Sequence, residues 1–191
     1  MAKSDSTMAD LPDFHIITGG PGSGKTTLID ALAAQGFHHM PEAGRAIIRD
    51  QVAIGGTALP WADRVAYAEL MLGWELRSWH EASDLTGPVI FDRGVPDVSG
   101  YLNLCGLSVP PHVERAADLF RYQRRVFIAP PWREIFGQDA ERKQDFAEAQ
   151  ATYEAMVTVY ADLGYELVSL PLAPVAERVR FVRARMWRVD D

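Results

Sequence analysis

Eight residues near the start of the chain constrain its fold most: Gly19-Gly20-Pro21-Gly22-Ser23-Gly24-Lys25-Thr26. A β-prone run at residues 14–18 precedes them, and residues 25–35 follow with apolar side chains at helical spacing. The glycines allow a tight turn in which several backbone N–H groups point at one anion. Strand, glycine-rich turn and helix in this order match the Walker A pattern, a phosphate-binding loop. The sequence therefore predicts that the chain binds a nucleotide.

Side chains in and after this loop add to the predicted phosphate site. The amino group of Lys25 can reach the β- and γ-phosphates, and the hydroxyl of Thr26 can bind Mg²⁺. A helix that begins here directs the positive end of its dipole at the same phosphates. We predict that the nucleotide is bound by Gly20, Pro21, Gly22, Ser23, Gly24, Lys25, Thr26 and Thr27.

Composition limits the class of protein. The 191 residues fit one domain, and a net charge of -7 with a pI near 5.2 argues against a nucleic-acid partner. A single cysteine, Cys105, excludes an internal disulfide and favours a cytoplasmic location. No apolar run approaches the roughly 20 residues of a membrane span, so we expect no membrane partner. Residues 1–13 are polar and lack the features of a secretory signal, so we expect a disordered tail before a single domain at 14–191.

Apolar patterning predicts a doubly wound α/β domain with a parallel sheet. Five short strands are expected at residues 14–18, 36–40, 89–91, 125–129 and 165–170, and helices at 25–35, 46–54, 61–83, 111–120, 143–163 and 175–189. Residues 95–107 are expected to form a loop and a short helix. Ligands in such sheets lie at the carboxyl ends of the strands. The helix at 61–83 should bury a stripe of Trp61, Val65, Ala68, Leu72, Leu76 and Trp79.

Two carboxylates follow predicted strands. Asp92 ends the apolar run Val89-Ile90-Phe91, which is the Walker B arrangement for holding Mg²⁺. Glu42 follows the second strand, which we expect beside the first, and could accept a proton from an acceptor hydroxyl or bind Mg²⁺ through water. The alternatives are a turn-capping role for Asp92 and a helix N-terminal acid at Glu42. Either carboxylate could serve as the base.

Arginines complete the candidate site. Motor ATPases usually place Glu after the Walker B Asp, but here Arg93 follows, and guanine-reading and ABC signatures are absent. Arg93 could grip a phosphate or the acceptor, or form a surface ion pair. Arg133 and Arg142 lie in a charged segment, 132–143, that could close as a lid and stabilise the transferred phosphoryl group, or form a solvated helix face. The last helix is expected to expose Arg178, Arg180, Arg183, Arg185 and Arg188.

Five segments together resemble a known family: Gly19 to Thr27, Pro41-Glu42-Ala43-Gly44-Arg45, Phe91-Asp92-Arg93-Gly94, Asp139-Ala140-Glu141-Arg142 and Leu163-Gly164-Tyr165-Glu166. They look like the AAA-labelled "predicted ATPase" P-loop family, which is similar to the nicotinamide riboside kinase domain of NadR-type proteins. The resemblance covers about residues 14–185. It implies a nucleoside- and nucleotide-kinase-like fold with five parallel strands in the order 2-3-1-4-5. It also implies ATP with Mg²⁺ as cofactors, a lid at 132–143 and an adenine pocket near Pro171.

The motifs and the resemblance favour an ATP-dependent kinase for a small-molecule acceptor such as a nucleoside. In that hypothesis Lys25, Glu42, Asp92, Arg93, Arg133 and Arg142 carry the chemistry, and Thr26 and Asp92 hold Mg²⁺. The alternative is a nucleotide-dependent switch or slow ATPase that acts on a protein partner. The AAA label implies ring-forming mechanics, for which the sequence lacks a small helical domain and a placed arginine finger. The sequence identifies neither the acceptor nor the oligomeric state.

Overall fold

The computed structural model describes residues 11–137 and 145–186, which form seven helices and five strands. In chain order these are β1 (Phe14–Gly19), α1 (Lys25–Ala33), β2 (His38–Met40), α2 (Ala43–Ile54), α3 (Arg64–Ser83), β3 (Val89–Asp92), α4 (Val95–Leu104), α5 (Pro111–Leu119), β4 (Arg125–Ala129), α6 (Phe146–Asp162), β5 (Glu166–Ser169) and α7 (Val175–Met186). All five predicted strands are present. Helix α2 begins three residues earlier than expected, so Glu42 is its N-cap residue.

The strands form one parallel sheet in the order β2-β3-β1-β4-β5, as the family resemblance implies. Strand β2 pairs with β3, so the expectation that it lies beside β1 was wrong. In register, Asp92 lies opposite Ile17, and Gly19 lies opposite Ala129. The carboxyl ends of β1, β2 and β3 therefore bring the glycine-rich loop, Glu42 and Asp92 to one edge of the sheet.

The two faces of the sheet are covered by different helices because strand residues alternate between the faces. On β1, Ile16 packs into a cluster with residues of α2 to α6, whereas Ile17 packs into a cluster with residues of α1 and α7. Both isoleucines are fully buried. Helices α1 and α7 thus share one face of the sheet, which brings α7 close to the loop that precedes α1.

The predicted stripe on α3 is correct only in part. Ala68 and Leu72 are buried, but Trp61 is 57% exposed and lies before the helix, which begins after the N-cap residue Asp63. The Asp63 carboxylate accepts a hydrogen bond from the backbone N–H of Ala66, at 2.9 Å. The buried face instead contains the polar residues Glu75 and Ser78 among its members, so apolar spacing could not locate it.

Residues 11–13 are held by hydrogen bonds to β3 and to the segment that precedes β4. The backbone N–H of Val89 donates to the carbonyl oxygen of Asp13 at 2.9 Å, and the Gln123 side-chain amide donates to that of Pro12 at 2.9 Å. The rest of the predicted tail lies outside the described residues. Residues 95–107, expected as a loop with a short helix, contain the ten-residue α4. Among the described helices, none has the length and hydropathy to cross a membrane.

Candidate active site

The glycine-rich loop joins β1 to α1 at the carboxyl edge of the sheet. Gly24 has a φ of 76°, a left-handed conformation that glycine adopts at little cost, and α1 begins at the next residue. The Ser23 hydroxyl donates to the carbonyl oxygen of Gly20 at 2.8 Å, which closes the turn. Thr26 and Thr27 lie exposed in the first turn of α1, so their side chains are accessible from solvent. The structure therefore has the strand, turn and helix that the pattern requires.

Lys25 lies over the loop with its amino group directed inward. Its Nζ donates to the carbonyl oxygens of Gly19 and Gly20, at 3.0 and 2.8 Å. Burial lowers the pKa of Lys25 to about 8, and the nearby positive charge of Arg93 adds to this effect, while Asp92 and Glu42 oppose it. Arg93 therefore lies close enough to Lys25 for the two positive charges to interact.

Arg93 is held between two carboxylates from different elements. Its Nε donates to Oε1 of Glu42 and its Nη1 donates to Oδ1 of Asp97, both at 3.1 Å. The Arg93 side chain is only 12% exposed, so the prediction of a mere surface ion pair does not describe it. Burial opposes ionisation of Glu42, but the charges of Arg93 and Lys25 outweigh it and lower the pKa of Glu42. Glu42 is therefore ionised at neutral pH.

The backbone of Arg93 adopts an unusual conformation. Its φ is 75°, and it is the one non-glycine residue with positive φ among residues 11–137 and 145–186. The left-handed region costs an L-residue roughly 1–2 kcal/mol. The Arg93 N–H donates to the carbonyl oxygen of Ile17 at 3.1 Å, which attaches the turn after β3 to β1. Arg93 thus lies at the carboxyl ends of β1 and β3, beside the polar residues that follow these strands.

Asp97 organises this region, although sequence reasoning did not single it out. It accepts hydrogen bonds from the hydroxyls of Thr18 and Tyr160, both at 2.6 Å, from the Gly94 N–H at 3.1 Å and from Arg93. Its position in the first turn of α4 is a local signal for an acid that caps a helix. The partners on β1 and α6 are distant in sequence, and no local pattern could have identified them.

Asp92 is buried beside these groups. Burial raises its pKa to about 6, with Lys25 opposing the shift and Glu42 adding to it. Its Oδ1 is buried and has no hydrogen-bond partner in the described chain. A carboxylate oxygen without a protein partner fits a cation such as Mg²⁺, which usually takes one or two protein carboxylates and completes its shell with water and phosphate oxygens. Residues 11–137 and 145–186 contain no cluster of three or more His, Cys, Asp or Glu that could hold a metal ion.

Helix α3 contributes two groups that were not expected. The Tyr67 hydroxyl and Glu42 both face Gly44, since a Cβ built on Gly44 would lie 2.8 Å from the hydroxyl oxygen and 3.6 Å from Oε1 of Glu42. Burial, together with the charge of Glu42, raises the pKa of Tyr67 to about 12. Glu75, only 3% exposed, has a pKa well above its usual value because of burial and of Asp97 nearby. Tyr67 and Glu75 therefore both lie within electrostatic reach of Glu42 and Arg93.

The remaining predicted residues are less closely connected to the site. Arg133 is exposed and its guanidinium stacks on the ring of Phe146, 4.2 Å from the ring centre. Arg142 lies outside the described residues, as does much of the predicted lid. Pro171 follows β5 next to Leu170, whose N–H donates to the Ile128 carbonyl at 2.9 Å. Its assignment to an adenine pocket stays a prediction.

Solved structures share this fold at low sequence identity. Deoxyadenosine kinase from M. mycoides with the products dCMP and dCDP bound matches at a TM-score of 0.66 and 12% identity, over 91% of this chain and 98% of its own. NadR in complex with NR matches at 0.64 and 18%, over 92% of this chain and 51% of NadR. NadR in complex with NAD and AMP-PNP matches at 0.64 and 16%, over 93% and 50%. This chain therefore spans about half the length of NadR.

Sequence comparison gives the family. None of the curated proteins matches this sequence. A family model described as an AAA domain matches residues 14–178, which include the loop, both carboxylates and Arg178. The sheet order and the structural neighbours are those of a P-loop, nucleoside-kinase-like fold. Because the family match spans most of the chain, the protein belongs to this AAA domain family.

Proposed function

We propose that this protein is an ATP- and Mg²⁺-dependent kinase that transfers the γ-phosphoryl group to a hydroxyl of a small-molecule acceptor. The observation that carries the proposal is the arrangement at the ends of β2 and β3. There an ionised Glu42 is paired with the buried Arg93, and the buried Asp92 has an oxygen without a protein partner. Both lie within electrostatic reach of the loop residue Lys25.

Each residue has a defined role in the proposed transfer. ATP would supply the phosphoryl group, and a bound magnesium ion would supply positive charge for it. The loop amides and Lys25 would bind the phosphates, and Thr26 and Asp92 would hold the metal. Glu42 accepts the proton of the acceptor hydroxyl as that oxygen bonds to the γ-phosphorus and the bond to the ADP oxygen breaks. Arg93 keeps Glu42 ionised and orients its carboxylate.

The structural neighbours support a nucleoside-like acceptor as the first class to test. One neighbour is a deoxyadenosine kinase, and NadR has been solved with NR and with AMP-PNP. Their identity to this chain is below 20%, so the choice of acceptor is a proposal. Arg133 and Arg142 are proposed to contact the transferred group when the segment at 132–143 closes. A cytoplasmic location is proposed on the evidence of the single cysteine.

The decisive experiment measures ADP formation from ATP and Mg²⁺ with and without a panel of nucleosides, cofactor precursors and sugars. A kinase should hydrolyse ATP slowly and accelerate sharply with one acceptor, with one phosphorylated product formed per ADP. The Lys25→Ala variant should keep the circular dichroism spectrum and lose ATP binding, because the loop amides alone bind phosphate weakly. Unchanged ATP affinity of this variant would remove the phosphate-loop assignment. Turnover that ignores every acceptor but changes with a protein partner would favour the switch.

A further inference from the structure

Arg178 on α7 contacts the glycine-rich loop on the side of its backbone carbonyl oxygens. The sequence predicted that the arginines of this helix face solvent, and for Arg178 that prediction was wrong, since only 4% of it is exposed. Its Nη1 donates to the carbonyl oxygens of Ser23 and Gly24, at 3.1 and 3.3 Å. By contrast, Arg180 is exposed on the same helix. One arginine of the helix is therefore directed at the loop that is proposed to bind phosphate.

The geometry of the peptide bond relates this contact to anion binding. In a trans peptide the C=O and the following N–H point in opposite directions. The two carbonyls that accept from Arg178 belong to the peptides that carry the N–H groups of Gly24 and Lys25. These two N–H groups must then point away from Arg178, toward the inner side of the loop, where a phosphate-binding loop presents its donors. Arg178 thereby fixes the orientation of two of the amides that would contact a phosphate.

Arg178 also lacks a balancing negative charge. No carboxylate of residues 11–137 or 145–186 forms an ion pair with it, and its buried Nε has no hydrogen-bond partner there. Burial lowers the pKa of the Arg178 guanidinium, because removal from water disfavours the charged form. A buried cation is costly unless an opposite charge compensates it. A phosphate on the other side of the two peptides would supply that charge, and the peptide dipoles between them are aligned to attract it.

Packing around Gly24 leaves the arginine little freedom. A Cβ built on Gly24 would lie 2.7 Å from Nη1 of Arg178 and 3.1 Å from Cδ1 of Ile135, which follows β4. The loop, α7 and the segment after β4 therefore meet at one point. We propose that Arg178 is a positioning residue that orients the loop amides of Gly24 and Lys25 and contributes a charge for binding the phosphates. The proposal rests on the nucleotide-binding part of the proposed function.

The test compares Arg178→Gln with the matched control Arg180→Gln. Titration calorimetry would measure the affinity of each variant and of the wild type for ADP and for inorganic tripolyphosphate. We expect Arg178→Gln to weaken both ligands by the same factor, about tenfold, because a charged hydrogen-bond donor is lost while a neutral amide remains. Arg178→Lys should recover part of the loss, because it restores the charge without the planar fork. Arg180→Gln should bind both ligands like the wild type.

Thermal unfolding separates positioning from a structural role. If Arg178 acts on the phosphate site, the ADP-induced rise in unfolding temperature shrinks in Arg178→Gln and not in Arg180→Gln. Wild-type affinity in Arg178→Gln would overturn the inference, as would a loss for ADP without a loss for tripolyphosphate. If Arg178→Gln does not fold, the same measurements are made on Arg178→Lys. If Arg178→Lys binds tripolyphosphate as tightly as the wild type does, the inference is overturned. A wild-type protein that binds neither ligand would instead refute the nucleotide-binding part of the proposed function.

Discussion

Replacing Arg93 by Gln tests whether burial sets the strength of the ion pairs in the candidate site. The substitution leaves Glu42 and Asp97 without their shared cation, although Asp97 keeps three uncharged donors. Breaking a buried ion pair typically costs about 3–5 kcal/mol, because a charge is left uncompensated. Glu42 is 25% exposed and can regain some hydration, so we expect the lower end of that range, about 3 kcal/mol.

That loss should be visible as a large shift in thermal unfolding. For a chain of this size, each 1 kcal/mol lowers the unfolding temperature by about 2–4 °C, which gives a decrease of about 6–12 °C. The control is Arg77→Gln, which removes another arginine from a carboxylate, Glu81. The Arg77–Glu81 contact is shorter, at 2.7 Å, but the Arg77 side chain is 65% exposed. Solvent screens such pairs, so the control should unfold close to the wild type.

The pH dependence gives a second check. The pKa of folded Glu42 lies below its unfolded value of about 4.3, so its ion pair stabilises the protein above that pH. This stabilisation is lost as the pH falls through the folded pKa. Arg93→Gln lacks it at every pH, so its deficit against the wild type should shrink below about pH 4. Equal effects of the Arg93 and Arg77 substitutions at pH 7, or a deficit independent of pH, would refute the reasoning.

Two further predictions concern the carboxylates. Glu42→Gln should lower turnover about 10²- to 10⁴-fold and leave ATP affinity nearly unchanged, because a general base acts on the acceptor proton. The exposed residue Glu69 provides the control, as Glu69→Gln. Equal losses of turnover and of ATP affinity measured by calorimetry in Glu42→Gln would contradict this role. Asp92 has a pKa of about 6 in the folded chain against about 3.9 when unfolded, so its ionisation destabilises the ligand-free protein as the pH rises from about 4 through 6. Asp92→Asn should remove this destabilisation. Measured by urea unfolding at pH 7.5, the free energy of unfolding of the variant should exceed that of the wild type by up to about 3 kcal/mol, and the difference should vanish at pH 4. A difference that stays constant with pH would contradict the assigned pKa.

The fold could be predicted because its determinants are local. The loop at residues 19–26 needs its glycines in one order, and buried parallel strands appear as short apolar runs. The positions of Glu42 and Asp92 also followed, because the carboxyl ends of parallel strands share one edge. The order of the strands came from the family resemblance, and expecting β2 beside β1 without it gave the wrong neighbour.

The missed residues are those whose role depends on contacts distant in sequence. Arg178 lies on the apolar stripe of α7 between Val175 and Val182, but its contact with the loop depends on the packing of α7 beside α1, which the sequence does not show. Glu75 interrupts the apolar pattern of α3, so a search for apolar stripes assigns it to the surface. Asp97 had a local signal as a helix-capping acid, but its bonds to Thr18 and Tyr160 depend on the tertiary fold. A search for apolar spacing therefore misses polar side chains that are buried because they have hydrogen-bond or ionic partners.

The left-handed backbone of Arg93 has a consequence for how this protein can change over evolutionary time. Glycine at this position would relieve roughly 1–2 kcal/mol of backbone strain but would remove the cation that Glu42 and Asp97 share, at a larger cost. The arginine is therefore fixed while both partners are charged. If Glu42 and Asp97 first became neutral, the same replacement by glycine would turn from harmful to favourable. The order of substitutions matters at these three positions, and we expect them to change together.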